Sequence, residues 1–288
     1  MNRRAVIICR ISVIVCVIAL AAFRWPLNDG KITSTFGESR GDHLHDGTDL
    51  IGGDKNVFPP LDGKLLYAWN KALFPFDNYT GSGNYKIVSH DNGLLSVYLH
   101  LENSENTAPA YTEKDSLGFF GDTGRSFGAH IHFNLIDRKT LSSINPFTIL
   151  PAYADTKPPV VGPFGLEIEG KAVLVTNKSR IRLTKDWPLL VKACDEARGG
   201  ERLGIYRLTV VFNDETVVDR TFDKIEYAKN DLTISGQKFD SIYSSEGYYK
   251  VPSLRYRSGV NTCVVTASDF AGNKTVSDFT VDITLDRK

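Results

Sequence analysis

No charge of either sign prevails in this 288-residue chain: 34 Lys and Arg meet 34 Asp and Glu. A basic footprint for nucleic acid is therefore absent. Cysteine is sparse, with four residues at Cys9, Cys16, Cys194 and Cys263. No apolar period of helical spacing runs for more than a turn or two, which argues against a helical architecture. No internal repeat or low-complexity tract interrupts the chain. Two catalytic signatures are also missing. There is no H-E-x-x-H, which would set two metal-binding histidines on a helix, and no G-x-S-x-G nucleophile elbow. What is present is globular material, with 42% hydrophobic and 24% charged residues, enough for a buried core. Aromatics are plentiful, 12 Tyr and 16 Phe, as suits a strand-rich protein.

Residues 1–22 stand apart. Arg3, Arg4 and Arg10 precede an almost wholly apolar run from Ile11 to Ala22, which ends in the small residues Ala19, Ala21 and Ala22. Positive charge, a short apolar stretch and then small residues is the layout of a secretory signal. The run is too short to cross a hydrocarbon core of about 30 Å as a helix. The competing reading is an uncleaved anchor with Arg10 snorkelling to the interface. Both readings place the rest of the chain in the periplasm or cell envelope, with membrane contact only through this segment if it stays attached, and then to the inner membrane. Removing it takes three Arg from the 34 basic residues and leaves 31 against 34 acidic. A polymer substrate would not be held by bulk positive charge. In an exported chain Cys194 and Cys263 could pair as a disulfide, and two buried thiols are the alternative.

The chain divides near residue 155. Asn145-Pro146-Phe147, Leu150-Pro151 and Asp155-Thr156-Lys157-Pro158-Pro159 form a proline-rich stretch, read as a stiff linker. Residues 23–154 and 155–288 are then two domains. All six histidines precede the linker, so the chemistry is expected in the first domain. There Gly63–Trp69, Asn84–His90, Leu94–Leu101 and His130–Ile136 are candidate strands, with Asp91-Asn92-Gly93 as a hairpin turn. The second domain offers Lys171–Thr176, Leu189–Ala193, Ile205–Phe212, Val217–Phe222, Val260–Ala267 and Val276–Leu285. Leu208, Val210 and Phe212 alternate with Arg207 and Thr209, the period of a half-buried strand. The expected fold class is all-β, with an antiparallel first domain followed by a β-sandwich.

Three segments carry chemistry. In His45-Asp46-Gly47-Thr48-Asp49 a His and an Asp lie four apart. A straight strand would separate them by about 13 Å, so they meet at one ion only if Asp46-Gly47 turns the chain back. Alone, the segment also reads as a polar loop. In His130-Ile131-His132-Phe133 the two imidazoles fall on one face of a strand and Ile131 and Phe133 on the other. A surface strand with two exposed histidines is the bland alternative. His100 ends the apolar run Val97-Tyr98-Leu99-His100-Leu101 and alone reads as structural. Taken together, two His and one Asp make a three-ligand zinc site with a fourth position for water. Spacing leaves open whether His43 or His45 is the ligand.

Phe36-Gly37-Glu38 with His43-Leu44-His45-Asp46-Gly47-Thr48-Asp49, then Tyr98-Leu99-His100-Leu101, then Gly121-Asp122-Thr123-Gly124 through Gly128-Ala129-His130-Ile131-His132-Phe133, resemble the motifs of lysostaphin-type (LytM-like) peptidoglycan endopeptidases. The resemblance covers about residues 31–150. It implies an antiparallel β peptidase domain holding one Zn2+ per chain through His45, Asp49 and His132. His100 and His130 would be the catalytic residues beside it, and His43 a residue at the site's edge. His90 is expected to be structural. Ala129 stands where Pro is usual and Asn134 where an acid is common, which bears on the shape of the substrate groove. The implied activity is zinc-dependent hydrolysis of peptide bonds in peptidoglycan stem peptides or cross-bridges. Peptidoglycan is the expected partner, with other cell-wall enzymes as further ones. Some relatives of this family have lost ligands and act as non-catalytic wall-binding proteins or activators of cell-wall amidases, so that role is the alternative. A zinc peptidase acting on proteins is a third reading. In the second domain, Asp269-Phe270-Ala271-Gly272-Asn273 is similar to the D-x-A-G-N turn of bacterial immunoglobulin-like modules.

Overall fold

The computed structural model describes residues 23–78, 80–102, 107–196, 200, 202–228 and 230–286. The expected signal or anchor, residues 1–22, lies outside them. Among the described residues no helix is long and apolar enough to cross a membrane. The chain is all-β. Its helical turns among the described residues are Pro146–Thr148 and Phe239–Ile242.

The first half is an antiparallel sheet in the order Gly63–Trp69, Asn84–Ser89, Leu94–Leu101, Ile131–Asp137. Gly93 takes a left-handed φ of 85° in the hairpin that joins Asn84–Ser89 to Leu94–Leu101, and His90 N–H donates to Leu94 O at 2.9 Å. The free edge of Ile131–Asp137 is shared. Its start pairs with Thr48–Ile51, which pairs in turn with Lys31–Ser34, while its end pairs with Ser142–Ile144. Ile131, Phe133 and Leu135 are fully buried, so one face of this strand is core and the other is left for polar groups.

The second half is a sandwich of two five-stranded sheets. Val160–Ile168 and Leu189–Glu196 lie at the centre of one, and Gly259–Ser268 and Lys274–Leu285 at the centre of the other. Phe164 stacks on Phe279 between them, ring centroids 4.5 Å apart. Among the described residues its pairings are antiparallel except that Ser179–Leu183 runs parallel to Lys274–Leu285. Cys194 and Cys263 are free thiols on opposite sheets, and burial pushes the Cys263 thiol up to about 12.

The two halves share structure. Lys224–Ala228 pairs with Ser142–Ile144 and carries Asp231–Ile234 and Gln237–Lys238 with it, so strands from the later chain extend the first sheet. Phe36 and Leu44, each 1% exposed, lie in the core of the second half with Phe222, Tyr243 and Tyr249. Truncating such a buried Phe costs about 3–5 kcal/mol, so the join between halves is a core contact. The proline-rich stretch is fastened along its length. Trp25 Nε1 donates to Pro151 O at 2.9 Å, and Asn273 Nδ2 reaches Asp155 O and Lys157 O at 3.4 and 3.3 Å.

Candidate metal centre

The register of two strands brings Asp49 to His132. Thr48 opposes Phe133, Asp49 opposes His132 and Leu50 opposes Ile131. Directly opposed residues project from the same face with Cβ atoms about 4.5–5.5 Å apart. His45 joins them because the loop before Thr48–Ile51 doubles back. Gly37 N–H donates to His45 O at 2.7 Å, and His45 N–H donates to Glu38 O at 2.8 Å. Gly47 completes the turn under close constraint. A Cβ there would lie 2.6 Å from His132 Nε2 and 2.7 Å from the Phe133 carbonyl, so only glycine lets the loop pass beneath the imidazole.

Three ligand atoms converge. His45 Nε2 is 3.1 Å from Asp49 Oδ1 and 3.0 Å from His132 Nδ1, and His132 Nδ1 is 2.9 Å from Asp49 Oδ1. All three residues are buried. The His45 tautomer follows from its surroundings. Nδ1 lies 2.8 Å from Thr35 O, which can only accept, so Nδ1 carries the proton and Nε2 presents a lone pair. Burial works against the Asp49 carboxylate, but the hydrogen bond from His132 and the neighbouring imidazoles outweigh it and hold the pKa well below the usual range. Arg40 Nη2 takes the other oxygen, Asp49 Oδ2, at 2.5 Å and also donates to Ser34 Oγ at 2.9 Å. Burial likewise works against a charged His132, yet Asp46 and Asp49 raise its pKa to about 9. Asp46 stands 3.5 Å from His132 Nε2 and is steadied by Asn134 Nδ2 at 3.0 Å.

His100 and His130 border this cluster. Their ring centroids are 4.8 Å apart, and His100 lies 6.2 Å from the His132 ring. His130 Nε2 is 3.8 Å from Asp49 Oδ1. Each ring donates Nδ1–H to a carbonyl, His100 to Thr123 O and His130 to Gly128 O, both at 2.8 Å. Each Nε2 is thereby left as a base. Burial lowers the His100 pKa, with the Thr123 bond offsetting part of the shift. His100 also holds a left-handed backbone, φ 64°, a conformation that costs an L-residue about 1–2 kcal/mol. Strained residues of this kind cluster at functional sites. The Thr123 carbonyl reaches His100 because Gly83 and Gly124 meet there without side chains. A Cβ on Gly83 would fall 2.3 Å from Thr123 O, and one on Gly124 2.3 Å from Gly83 N.

The donor set suits a divalent metal. Two imidazole nitrogens and one carboxylate oxygen, within 3.1 Å of one another, are what a catalytic zinc site draws from a protein. Residues 43–146 match peptidase family M23. That segment is similar to the M23 peptidases. Murein hydrolase activator NlpD of Salmonella dublin is 31% identical over 137 residues, covering 46% of this chain and 32% of that protein. Peptidoglycan DD-endopeptidase ShyC of Vibrio cholerae serotype O1 is 27% identical over 119 residues, covering 40% and 27%. A solved zinc-containing peptidase from Vibrio cholerae is 25% identical, with 47% of this chain and 41% of that chain covered and a TM-score of 0.36. The shared segment spans about a third of NlpD and about a quarter of ShyC.

Within the matched segment the five residues His45, Asp49, His100, His130 and His132 stand together. His43 does not join them. It points outward, 60% exposed, with Nδ1 2.5 Å from Asp42 Oδ1. His90 is buried away from the centre, with Nδ1 3.0 Å from Asp62 O and Nε2 2.8 Å from Ser96 Oγ. Four contributors escape sequence reading: Arg40, Thr35, Asp46 and Ser126, whose Oγ is 3.3 Å from His130 Nδ1. Thr35 acts through its carbonyl, which no residue type announces. Arg40 lies just before the His45–Asp49 segment and Asp46 within it, and that proximity was the available signal.

Proposed function

We propose that this chain is a zinc metalloendopeptidase that hydrolyses peptide bonds in peptidoglycan and is exported to the cell envelope, with residues 1–22 as signal or anchor. The observation that carries the reading is the convergence of His45 Nε2, Asp49 Oδ1 and His132 Nδ1 with two further imidazoles at their border. His45, Asp49 and His132 would hold one zinc ion. Zinc bound there would lower the pKa of a water to about 7 and polarise a substrate carbonyl. His100 and His130 supply the proton chemistry. One takes the proton of the attacking water at Nε2, and the other, once protonated at Nε2 as well as Nδ1, donates a hydrogen bond to the developing oxyanion. The carbonyls of Thr123 and Gly128 fix both rings, so neither must reorganise during the reaction. Arg40 holds Asp49 by its second oxygen and leaves the first for the metal.

Similarity to NlpD favours a second reading, in which the domain activates murein hydrolases without cutting bonds itself. The presence of both bordering histidines weighs toward catalysis. The deciding experiment incubates the purified chain, with zinc and with chelator, on peptidoglycan sacculi and analyses released fragments by mass spectrometry. New peptide termini that depend on zinc support the endopeptidase and name the bond. Binding to sacculi with no release in either condition supports the activator.

A further inference from the structure

We infer that Glu38 is a positioning residue through which the second half of the chain sets the metal-ligating loop; the inference rests on the metal-centre reading above. Glu38 lies in the loop that runs from Phe36 to His45. Its Oε1 accepts from Thr35 N–H at 2.6 Å, from Thr35 Oγ1 at 2.6 Å and from Gly204 N–H at 2.8 Å. Its Oε2 accepts from Ser34 Oγ at 2.5 Å. Hydrogen bonds to an ionised acceptor are short and strong, and four of them fix this carboxylate. Gly204 belongs to the second half. Thr35 is the residue whose carbonyl pins the His45 ring, and the Glu38 carbonyl takes His45 N–H. A continuous polar path therefore leads from Gly204 through Glu38 and Thr35 to the imidazole of a ligand.

The contact is built from both sides. A Cβ on Gly204 would lie 2.7 Å from Glu38 Cγ and 2.9 Å from Thr35 Oγ1, so the approach of the second half requires glycine there. Tyr243 Oη donates to Gly37 O at 2.9 Å, and the Phe222 ring fills the space where a Gly37 side chain would stand. Phe36 and Leu44 anchor the two ends of the loop in the second half's core. Apolar anchors alone fix where the loop lies. The carboxylate fixes which way Thr35 turns its carbonyl, and that direction sets the plane and tautomer of His45. Removing partners that orient metal ligands typically costs about 10–100-fold in metal affinity.

The test measures zinc affinity by chelator competition on the full chain, together with thermal stability and the visible absorption of the cobalt-loaded protein. Glu38→Ala should weaken zinc binding about tenfold and alter the cobalt spectrum. Glu38→Gln keeps an oxygen for Thr35 and Gly204 and should stay within about threefold of wild type. Ile283→Ala, in the second half's core near the end of its last strand, should lower stability while leaving zinc affinity intact. Wild-type zinc affinity in folded Glu38→Ala, or an equal loss in Ile283→Ala, would overturn the inference. Failure of the wild-type chain to bind zinc would overturn the metal-centre reading on which it rests. Should Glu38→Ala not fold, Thr35→Val removes the hydroxyl bonds to Glu38 and Gly204 in a nearly isosteric way. An unchanged zinc affinity there would overturn the inference equally, and a weakened one would support it.

Discussion

Asp49 and His132 are opposed residues on neighbouring antiparallel strands, with Asp49 Oδ1 2.9 Å from His132 Nδ1. The metal centre is thus written into a strand register, and a slip of one residue in either strand would put the two side chains on opposite faces. Gly47 guards that register from below. Gly47→Ala would press a methyl group against His132 Nε2 and the Phe133 carbonyl, which belong to a central strand and cannot yield. We expect zinc affinity to fall at least tenfold and stability to drop by about 1–3 kcal/mol, read by chelator competition and thermal melting. Unchanged zinc binding would show that the loop has room the geometry denies it.

The two histidines of His43-Leu44-His45 separate cleanly. His45 is buried with its Nε2 in the cluster, whereas His43 is solvent-facing beside Asp42. His45→Ala should abolish measurable zinc binding at micromolar concentration, and His43→Ala should leave it within twofold. Equal losses from the two substitutions would overturn the ligand assignment.

His100 is predicted to serve chemistry and not metal retention. His100→Asn is the suitable variant, because Asn tolerates the left-handed backbone that position 100 requires. It should keep one zinc per chain and lose about 10²–10⁴-fold in kcat, the usual worth of a general acid or base. Loss of zinc with the activity would move His100 into the ligand set.

Much of this was legible in the sequence, and the rest fails for identifiable reasons. Gly63–Trp69 and Leu94–Leu101 were readable to the residue because turn residues flank them and their apolar runs are long. Lys31–Ser34 and Thr48–Ile51 were not, since each has four residues and the second carries Asp49 at its centre, where a hydrophobic pattern would look for an apolar residue. The pairing of Lys224–Ala228 with Ser142–Ile144 depends on a tertiary meeting of sheet edges, which leaves no local mark. The same holds for Glu38, whose partner Gly204 lies 166 residues away.

Zinc binding should depend on pH through His132. The neighbouring Asp46 and Asp49 carboxylates, against the effect of burial, raise its pKa from 6.5 to about 9. A metal that takes Nδ1 must displace the proton held there, so apparent affinity rises with pH below about 9. Between pH 6.5 and 8.5 the expected slope is about tenfold per unit. Calorimetry in buffers of different ionisation enthalpy should register one proton released per zinc at pH 7. A flat profile over that range would contradict the assignment of His132.

A last prediction concerns stability in the second half. Asp195 is 4% exposed, and its carboxylate shares a site with those of Asp155 and Asp269, the oxygens within 4.8 Å of one another. Burial first, then the like charges of Asp269 and Asp155, raise its pKa from 3.8 to about 6, against a bond from Glu196 N–H at 2.9 Å. The folded state therefore holds a proton that the unfolded chain releases at lower pH. Stability from this group is complete below 3.8 and is lost as pH rises through about 6. Asp195→Asn keeps the acceptor for Glu196 and removes the charge. The variant should melt at a higher temperature than wild type at pH 7.5, and the gain should shrink toward zero at pH 4. A gain that is the same at both values would mean that the charge of Asp195 is not what opposes the fold, and a loss at pH 7.5 that its neighbours stabilise it.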